Sequence, residues 1–287
     1  MSNPVAIVTD STCNIPAEMV SANKVHVLPL QVIWSGKIYR DGIDITTEAF
    51  YDRLKSDKDS PTTSQATPAA FSELYRTLLV QGFDILSIHI SSKLSGTLDS
   101  AIQAKAQFPG SRIELVDSES ASIALGFQVM AAARLAENGA TLSDCRAVAE
   151  QAIAHSGVFF LVDTLEYLRR GGRIGGAAAL LGTVLDLKPL LSLQHGRIEA
   201  VGKVRTKAKA MDRMLEMFEQ HVERFGSPIR LAALHAQDEA TANELLARAR
   251  ERFGVSDVAE MFVTTVSPVI GTHTGPGALG LAFLAGM

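Results

Sequence analysis

Short runs rich in valine and isoleucine alternate with longer stretches of helical periodicity over nearly the whole chain. This alternation confines the fold to the α/β class, with parallel strands linked through helices. Strand patterns occupy residues 5–9, 26–34, 83–90 and 112–117, and helical patterns occupy 70–79, 97–108 and 120–137. Trp34-Ser35-Gly36-Lys37 reads as a turn between two strands. A helix over 142–155 leads through Ser156 and Gly157 into the apolar strand 158–162, which places a domain boundary between 1–157 and 158–287. The second half continues with strands at 188–193, 197–204, 230–234 and 258–264. Two long helices separate them. Met211, Met214, Leu215, Phe218 and Val222 recur at helical spacing in the first, and Leu245, Leu246, Ala249 and Phe253 in the second, which predicts a core-facing stripe on each.

Composition narrows the function. The 287 residues are 47% apolar, enough for one large core or two of ordinary size. The chain has 27 basic against 31 acidic side chains, and its net charge of −4 supplies no excess of cations to neutralise nucleic-acid phosphates. The two cysteines, Cys13 and Cys145, follow neither metal-ligand nor redox spacing, which fits a reducing cytoplasm. The start MSNPVAIVTDSTC lacks the basic and apolar regions of a signal peptide, and no later stretch approaches the roughly 20 apolar residues that span a bilayer. A protein with no integral membrane segment, located in the cytoplasm, is expected. Aromatic residues are only 6%, so any pocket cut into this core is lined mainly by aliphatic side chains.

In parallel α/β sheets, ligands bind where strands end and helices begin. Those loops are rich in hydroxyls here: Thr9-Asp10-Ser11-Thr12, Ser91-Ser92-Lys93-Leu94-Ser95-Gly96-Thr97 and Asp117-Ser118-Glu119-Ser120. A further cluster, Thr62-Thr63-Ser64-Gln65, precedes the helix that starts near Pro68. Single serines and threonines at such places cap helices. Four hydroxyls and a glycine within residues 91–97 exceed what one cap needs, and hydroxyls with free amides suit a carboxylate or phosphate oxygen.

Near the C-terminus, residues 270–277 hold three glycines and His273 ahead of an apolar run expected to form a short helix. Gly275, Gly277 and Gly280 match G-x-G-x-x-G formally, but no strand with an acidic residue follows, so a dinucleotide site is rejected. His273, in a turn where backbone can approach a ligand closely, is the stronger candidate. Arg173 follows a Gly-Gly pair and Arg205 ends a strand, so both are candidates to face a ligand, whereas Lys207 and Lys209 read as solvated surface. The other histidines show no metal-ligand spacing, and no metal site is expected.

Taken together, these segments resemble the DegV family of bacterial fatty-acid-binding proteins over nearly the whole chain. The resemblance rests on Ile7-Val8-Thr9-Asp10-Ser11, Thr63-Ser64-Gln65, the 91–97 loop, Val116-Asp117-Ser118, Leu165-Glu166-Tyr167-Leu168 with Gly171-Gly172-Arg173-Ile174, Lys188-Pro189, Lys203-Val204-Arg205-Thr206 and the 271–277 glycine segment. It implies two α/β domains, both with mainly parallel sheets flanked by helices, and a long-chain fatty acid buried in a tunnel between them. It also implies that hydroxyls of Thr63 or Ser64 and of Ser95, in the Ser95-Gly96-Thr97 motif, hold the carboxylate with His273 beside it. Arg173 and Arg205 are linked by the same resemblance to a phosphorylated ligand or a partner. That partner would be a separate ATP-dependent fatty acid kinase that makes an acyl phosphate, the chain itself carrying no cofactor. The family's proline after Thr-Ser-Gln is replaced here by Ala66, with Pro68 two positions on.

Two enzymatic alternatives stand beside this reading. A lipid or ester hydrolase would use Ser95 as nucleophile and His273 as base, yet Ser95 lacks the G-x-S-x-G elbow and no acidic residue is marked to orient the histidine. A nicotinamide enzyme is disfavoured by the failed glycine fingerprint. Nor does the chain carry a G-x-x-x-x-G-K-[ST] loop, so ATP would have to come from the partner.

Overall fold

The computed structural model describes residues 3–181, 188–254 and 256–287. In the first half, strands β1 (Val5–Asp10), β2 (His26–Leu28), β3 (Gln31–Trp34), β4 (Lys37–Arg40), β5 (Thr62–Ser64), β6 (Asp84–His89) and β7 (Ile113–Asp117) appear. They are interleaved with helices α1 (Ala17–Ala22), α2 (Thr47–Ser56), α3 (Pro68–Val80), α4 (Thr97–Lys105), α5 (Ser122–Glu137) and α6 (Leu142–His155). The second half adds β8 (Ser156–Leu161), β9 (Lys188–Gln194), β10 (Arg197–Val204), β11 (Ile229–His235), β12 (Val258–Thr265) and β13 (Leu279–Ala285). Its helices are α7 (Glu166–Arg170), α8 (Lys207–Phe225), α9 (Glu239–Arg252) and α10 (Pro268–Thr274).

Three sheets result: β2-β1-β6-β7, β10-β9-β8-β13-β11-β12, and a small β4-β3-β5. The first is parallel throughout, as the alternating pattern predicts. The α/β class holds for the second, but its strands are mainly antiparallel and only β11 and β12 run together. This corrects the expectation of mainly parallel sheets in both halves. For one pair the reason is local: β9 and β10 are joined through His195 and Gly196, both at positive φ, which is hairpin geometry. Strand β13, returning from α10, inserts antiparallel between β8 and β11.

Two further expectations change. The pattern at 26–34 is two strands, because Pro29 has no N–H to donate to a ladder; β2 joins the first sheet and β3 the small one. The turn that follows is as read, with Ser35 and Gly36 at positive φ and Trp34 paired with Lys37. The apolar run near the C-terminus is strand β13, and the helix precedes it as α10. Every residue of β13 is buried, and a short run that is apolar on both faces suits a central strand.

The division expected at 157 falls inside β8, whose Ser156 and Gly157 already pair with β13, and packing runs across it. Leu30, Val32, Trp34 and Phe50 share one cluster with Leu168, Leu191, Ile198 and Val269. Helix α5 contacts both β1 and the strands β8 and β13. The stripes read on α8 and α9 face the core, with Met211, Met214, Phe218, Leu245 and Ala249 all buried.

A fully buried polar chain crosses the first sheet. Tyr75 donates to Ser87 Oγ at 2.8 Å, Ser87 Oγ lies 2.6 Å from His89 Nε2, and His89 Nδ1 lies 3.0 Å from Asp10 Oδ2. With the ring proton on Nδ1, every proton in this chain has an acceptor. Asp10 also accepts from the amides of Thr12 and Ile90. The Asp-His-Ser order is that of a hydrolase relay, but Ser87 has 0% exposure and no substrate reaches it. An Asp10→Ala variant strands several buried donors at about 1–3 kcal/mol each. Urea denaturation is expected to show a loss of at least about 3 kcal/mol; a change under about 0.5 kcal/mol would remove the chain as a structural support.

Candidate functional site

One cavity, about 950 Å³ when the open space at its mouth is included, lies between the two large sheets. Its body is apolar and mostly aliphatic, with Ile90, Val158, Leu193, Leu234 and Val266 beside Phe160 among the walls. Its polar groups are Thr63, Ser64, Gln65, Ser95, Ser122, Arg173, His273 and Thr274, and among the described lining residues none is acidic.

The two motifs singled out in the sequence meet here. Thr63, on the short strand β5, is held opposite Val32 of β3, and its Oγ1 lies 2.8 Å from His273 Nε2. His273 sits in the last turn of α10, a helix begun by Pro268 and stopped by Gly275 at φ 74°. Glycine is required at 275 and 277, because each has positive φ and a Cβ would collide with the Tyr167 ring at 275 and the Asp163 carboxylate at 277. Gly171 similarly leaves room for the His273 ring. The Thr67 side chain caps α3 by accepting from the Ala70 amide, and Pro68 stands at its N-terminus, while Ala66 before it is buried.

Ser95 is oriented from behind. Its Oγ lies 2.8 Å from Thr97 Oγ1 and accepts from the Thr97 amide, and Thr97 is fully buried. Gly96 lies against the Gln65 amide, where a Cβ would stand 3.0 Å from Nε2. Thus Ser95 faces the cavity, while Gly96 and Thr97 position the loop without lining it. The loop is also tied to the second half. Ser91 Oγ donates to Gly196 O at 2.8 Å, and Arg173 Nε donates to Leu94 O at 2.9 Å.

Arg173 is half-buried in the cavity wall, with Nη1 donating to Gly171 O at 2.6 Å. Arg205 is exposed, in the turn before α8, and lies outside the cavity lining. The two arginines paired by the sequence therefore occupy different environments.

Sequence reasoning assigned no role to Asp41. It is buried, accepts from Ser11 Oγ at 2.7 Å, and accepts from the Val269 amide at 3.4 Å, so it fixes the start of α10. Burial pushes its carboxyl up to about 6. Ser11 Oγ in turn accepts from the Leu30 amide, and Leu30 lines the cavity. No local motif marks this link, because its partners are far apart in sequence.

Burial, and secondarily the Arg173 charge, hold the His273 imidazole down at about 4 from an ordinary 6.5. The ring is neutral near pH 7. In the Nε2–H tautomer it donates to Thr63 and frees the Thr63 proton for a ligand oxygen. Among the described residues the geometry does not assemble a hydrolase pair: Ser95 Oγ is engaged by Thr97, His273 Nε2 by Thr63, and no described acid orients His273 Nδ1. Among the described residues no group of three or more His, Cys, Asp or Glu side chains could hold a metal, and no helix is long and apolar enough to cross a membrane.

Comparison with known proteins gives a consistent picture. A family profile described as "Uncharacterised protein, DegV family" matches residues 4–286. A DegV domain-containing protein of Streptomyces coelicolor is 41% identical over 282 residues, covering 98% of each chain. Among solved structures, a fatty-acid-binding DegV family protein from Thermus thermophilus superposes with a TM-score of 0.91 at 40% identity, covering 98% of this chain and 99% of its own. DegV of Bacillus subtilis, a fatty acid binding protein, superposes with a TM-score of 0.89 at 35% identity, covering 99% of this chain and 100% of its own.

The His273 shift has a definite sign. Its folded value lies below its unfolded one, so the unfolded chain takes up the proton first as pH falls. His273 therefore draws stability down between about 6.5 and about 4 and contributes nothing above that window. The loss of melting temperature between pH 7 and pH 5 is expected to be smaller in His273→Gln than in the parent. An equal loss in both would contradict the neutral buried ring.

Proposed function

The chain belongs to the DegV family, and on that premise we propose that it binds a long-chain fatty acid and presents its carboxylate to a separate ATP-dependent kinase for acyl-phosphate formation. The observation that carries this reading is a cavity walled by both halves of the chain, aliphatic along its body, with Thr63, Ser64, Ser95 and His273 at its polar end. The fatty-acid binding of the relatives from T. thermophilus and B. subtilis supports the ligand class.

The energetics suit it. Burying about 14 methylenes at roughly 0.8 kcal/mol each gives a gross favourable term near 11 kcal/mol before ordering costs. Affinity then comes from the tail, and the head group supplies orientation. Hydroxyls of Thr63, Ser64 and Ser95 donate to the carboxylate, with His273 setting the Thr63 proton and Arg173 supplying positive potential from the wall. The acid is offered without activation, so this chain acts as a carrier with no cofactor of its own, and the kinase brings ATP and metal. Arg205, exposed and outside the cavity, fits a contact with that partner better than one with the buried ligand. Cys13 and Cys145 are free thiols, in keeping with a cytoplasmic setting.

Native mass spectrometry of the purified protein is expected to show a bound long-chain acid. Recovery of empty protein even after adding such acids would sink the proposal. Ser95→Ala removes one hydrogen bond to a charged oxygen, and about 10- to 100-fold weaker binding is expected with the fold intact. Covalent labelling of Ser95 by an organophosphonate would favour the hydrolase instead. Arg205→Ala is expected to impair phosphorylation by the kinase while leaving acid binding unchanged; equal loss of both would contradict its role.

A further inference from the structure

Burial gives the cavity a direction. Its apolar lining residues are buried or half-buried, and Thr63, Ser64, Ser95 and His273 at the polar end are half-buried. Gln65 alone among the described lining residues is exposed. It therefore marks the mouth, the side from which a reactant arriving through solvent reaches the polar end.

Two features place the Gln65 side chain there. Gln65 directly follows β5, so the strand that carries Thr63 also fixes where the glutamine starts. Its carboxamide lies against Gly96, in the loop that carries Ser95: a Cβ on Gly96 would stand 3.0 Å from Gln65 Nε2 and 3.3 Å from its Cδ. Gly96 has φ −77°, outside the left-handed region, so this glycine serves a close approach and not a strained turn. The carboxamide thus lies between the two segments that bring hydroxyls to the polar end. Yet no hydrogen bond engages it among the described residues. A carboxamide has two N–H donors and one acceptor oxygen, and here all of them remain open to a ligand or to water.

The proposed reaction changes the size of the ligand at this end. When a carboxylate oxygen bonds to the terminal phosphorus of ATP, the bond from that phosphorus to its bridging oxygen breaks and the electron pair leaves with ADP. The product is longer than the acid by one phosphoryl group. Its tail stays in the apolar body and its acyl oxygens among the hydroxyls, so the added group projects towards the mouth. We infer that Gln65 is a specificity-determining residue for the product: its carboxamide donates to the phosphoryl oxygens of the bound acyl phosphate and favours retention of that product over the acid. The inference rests on the carrier reading above and deepens it. A neutral donor suits this place, because it orients the phosphoryl group without pairing the incoming carboxylate with a further cation.

The test titrates the parent, Gln65→Ala and Gln65→Met with two ligands, circular dichroism confirming the fold of each. One ligand is hexadecanoic acid. The other is 2-oxoheptadecylphosphonate, in which a methylene replaces the bridging oxygen of hexadecanoyl phosphate and prevents hydrolysis. The parent is expected to bind both. Gln65→Ala is expected to weaken the phosphonate at least about tenfold more than the acid, the effect of losing one hydrogen bond to a charged group. Gln65→Met keeps the length of the side chain but has no N–H donor, and the same selective loss is expected. Equal weakening of both ligands, or no change in either, overturns the inference. Parent-like phosphonate binding by Gln65→Met also overturns it, as the mark of packing alone. A parent that binds neither ligand defeats the carrier reading itself, whereas one that binds the acid and rejects the phosphonate leaves the fatty-acid ligand standing and defeats the role of Gln65.

Discussion

The contact between Thr63 Oγ1 and His273 Nε2, 2.8 Å long and spanning 210 positions in sequence, is where the two halves of the chain become one site. Neither partner could be placed by its own neighbourhood. Strand β5 has three residues, too few to stand without β3, and α10 has seven, too few to persist as an isolated helix. Each is held by tertiary packing: α10 by Asp41 at its start and by glycines that let Tyr167 and Asp163 press against its end, and β5 by the hairpin that carries Trp34 into the shared core. The polar end of the cavity is thus the product of its walls.

A polar end inside an apolar body creates an accounting problem that the structure solves by bonding protein groups to one another. Ser95 is met by Thr97, Ser91 by Gly196, and Arg173 by two carbonyls. Ser95 and Arg173 keep capacity for a ligand oxygen, since the Ser95 hydroxyl can accept from Thr97 and donate elsewhere and a guanidinium has five donors, whereas Ser91 is fully buried outside the cavity lining with its proton committed to Gly196. The cavity offers one arginine, no acidic residue among its described lining, and a histidine held neutral by burial. Such a setting suits an anion without locking it into a buried ion pair, whose desolvation cost would oppose binding.

The same logic explains why the buried carboxylates lie away from the cavity. Asp10 accepts from His89, Thr12 and Ile90 beneath the 91–97 loop, and Asp41 accepts from Ser11 and Val269 beneath α10. Both support backbone that carries site residues. Their charge is spent on donors within the protein, so the potential at the polar end remains set by Arg173 and free hydroxyls.

The alternation of aliphatic runs with helical stripes was enough to establish the α/β class, the parallel first sheet, the core faces of α8 and α9 and the turn at Ser35-Gly36, because each of these follows from local periodicity or backbone preference. The hydroxyl clusters at Thr63 and Ser95 and the histidine among glycines were legible for the same reason. What only the tertiary structure decided is non-local. Antiparallel insertion of β13 between β8 and β11 depends on where the chain returns, and an all-apolar run reads equally as helix or strand until its neighbours are known. Arg173 and Arg205 look alike in sequence, yet one lines the cavity and the other faces solvent. Asp41 carries no motif, because its role comes from which distant residues it meets.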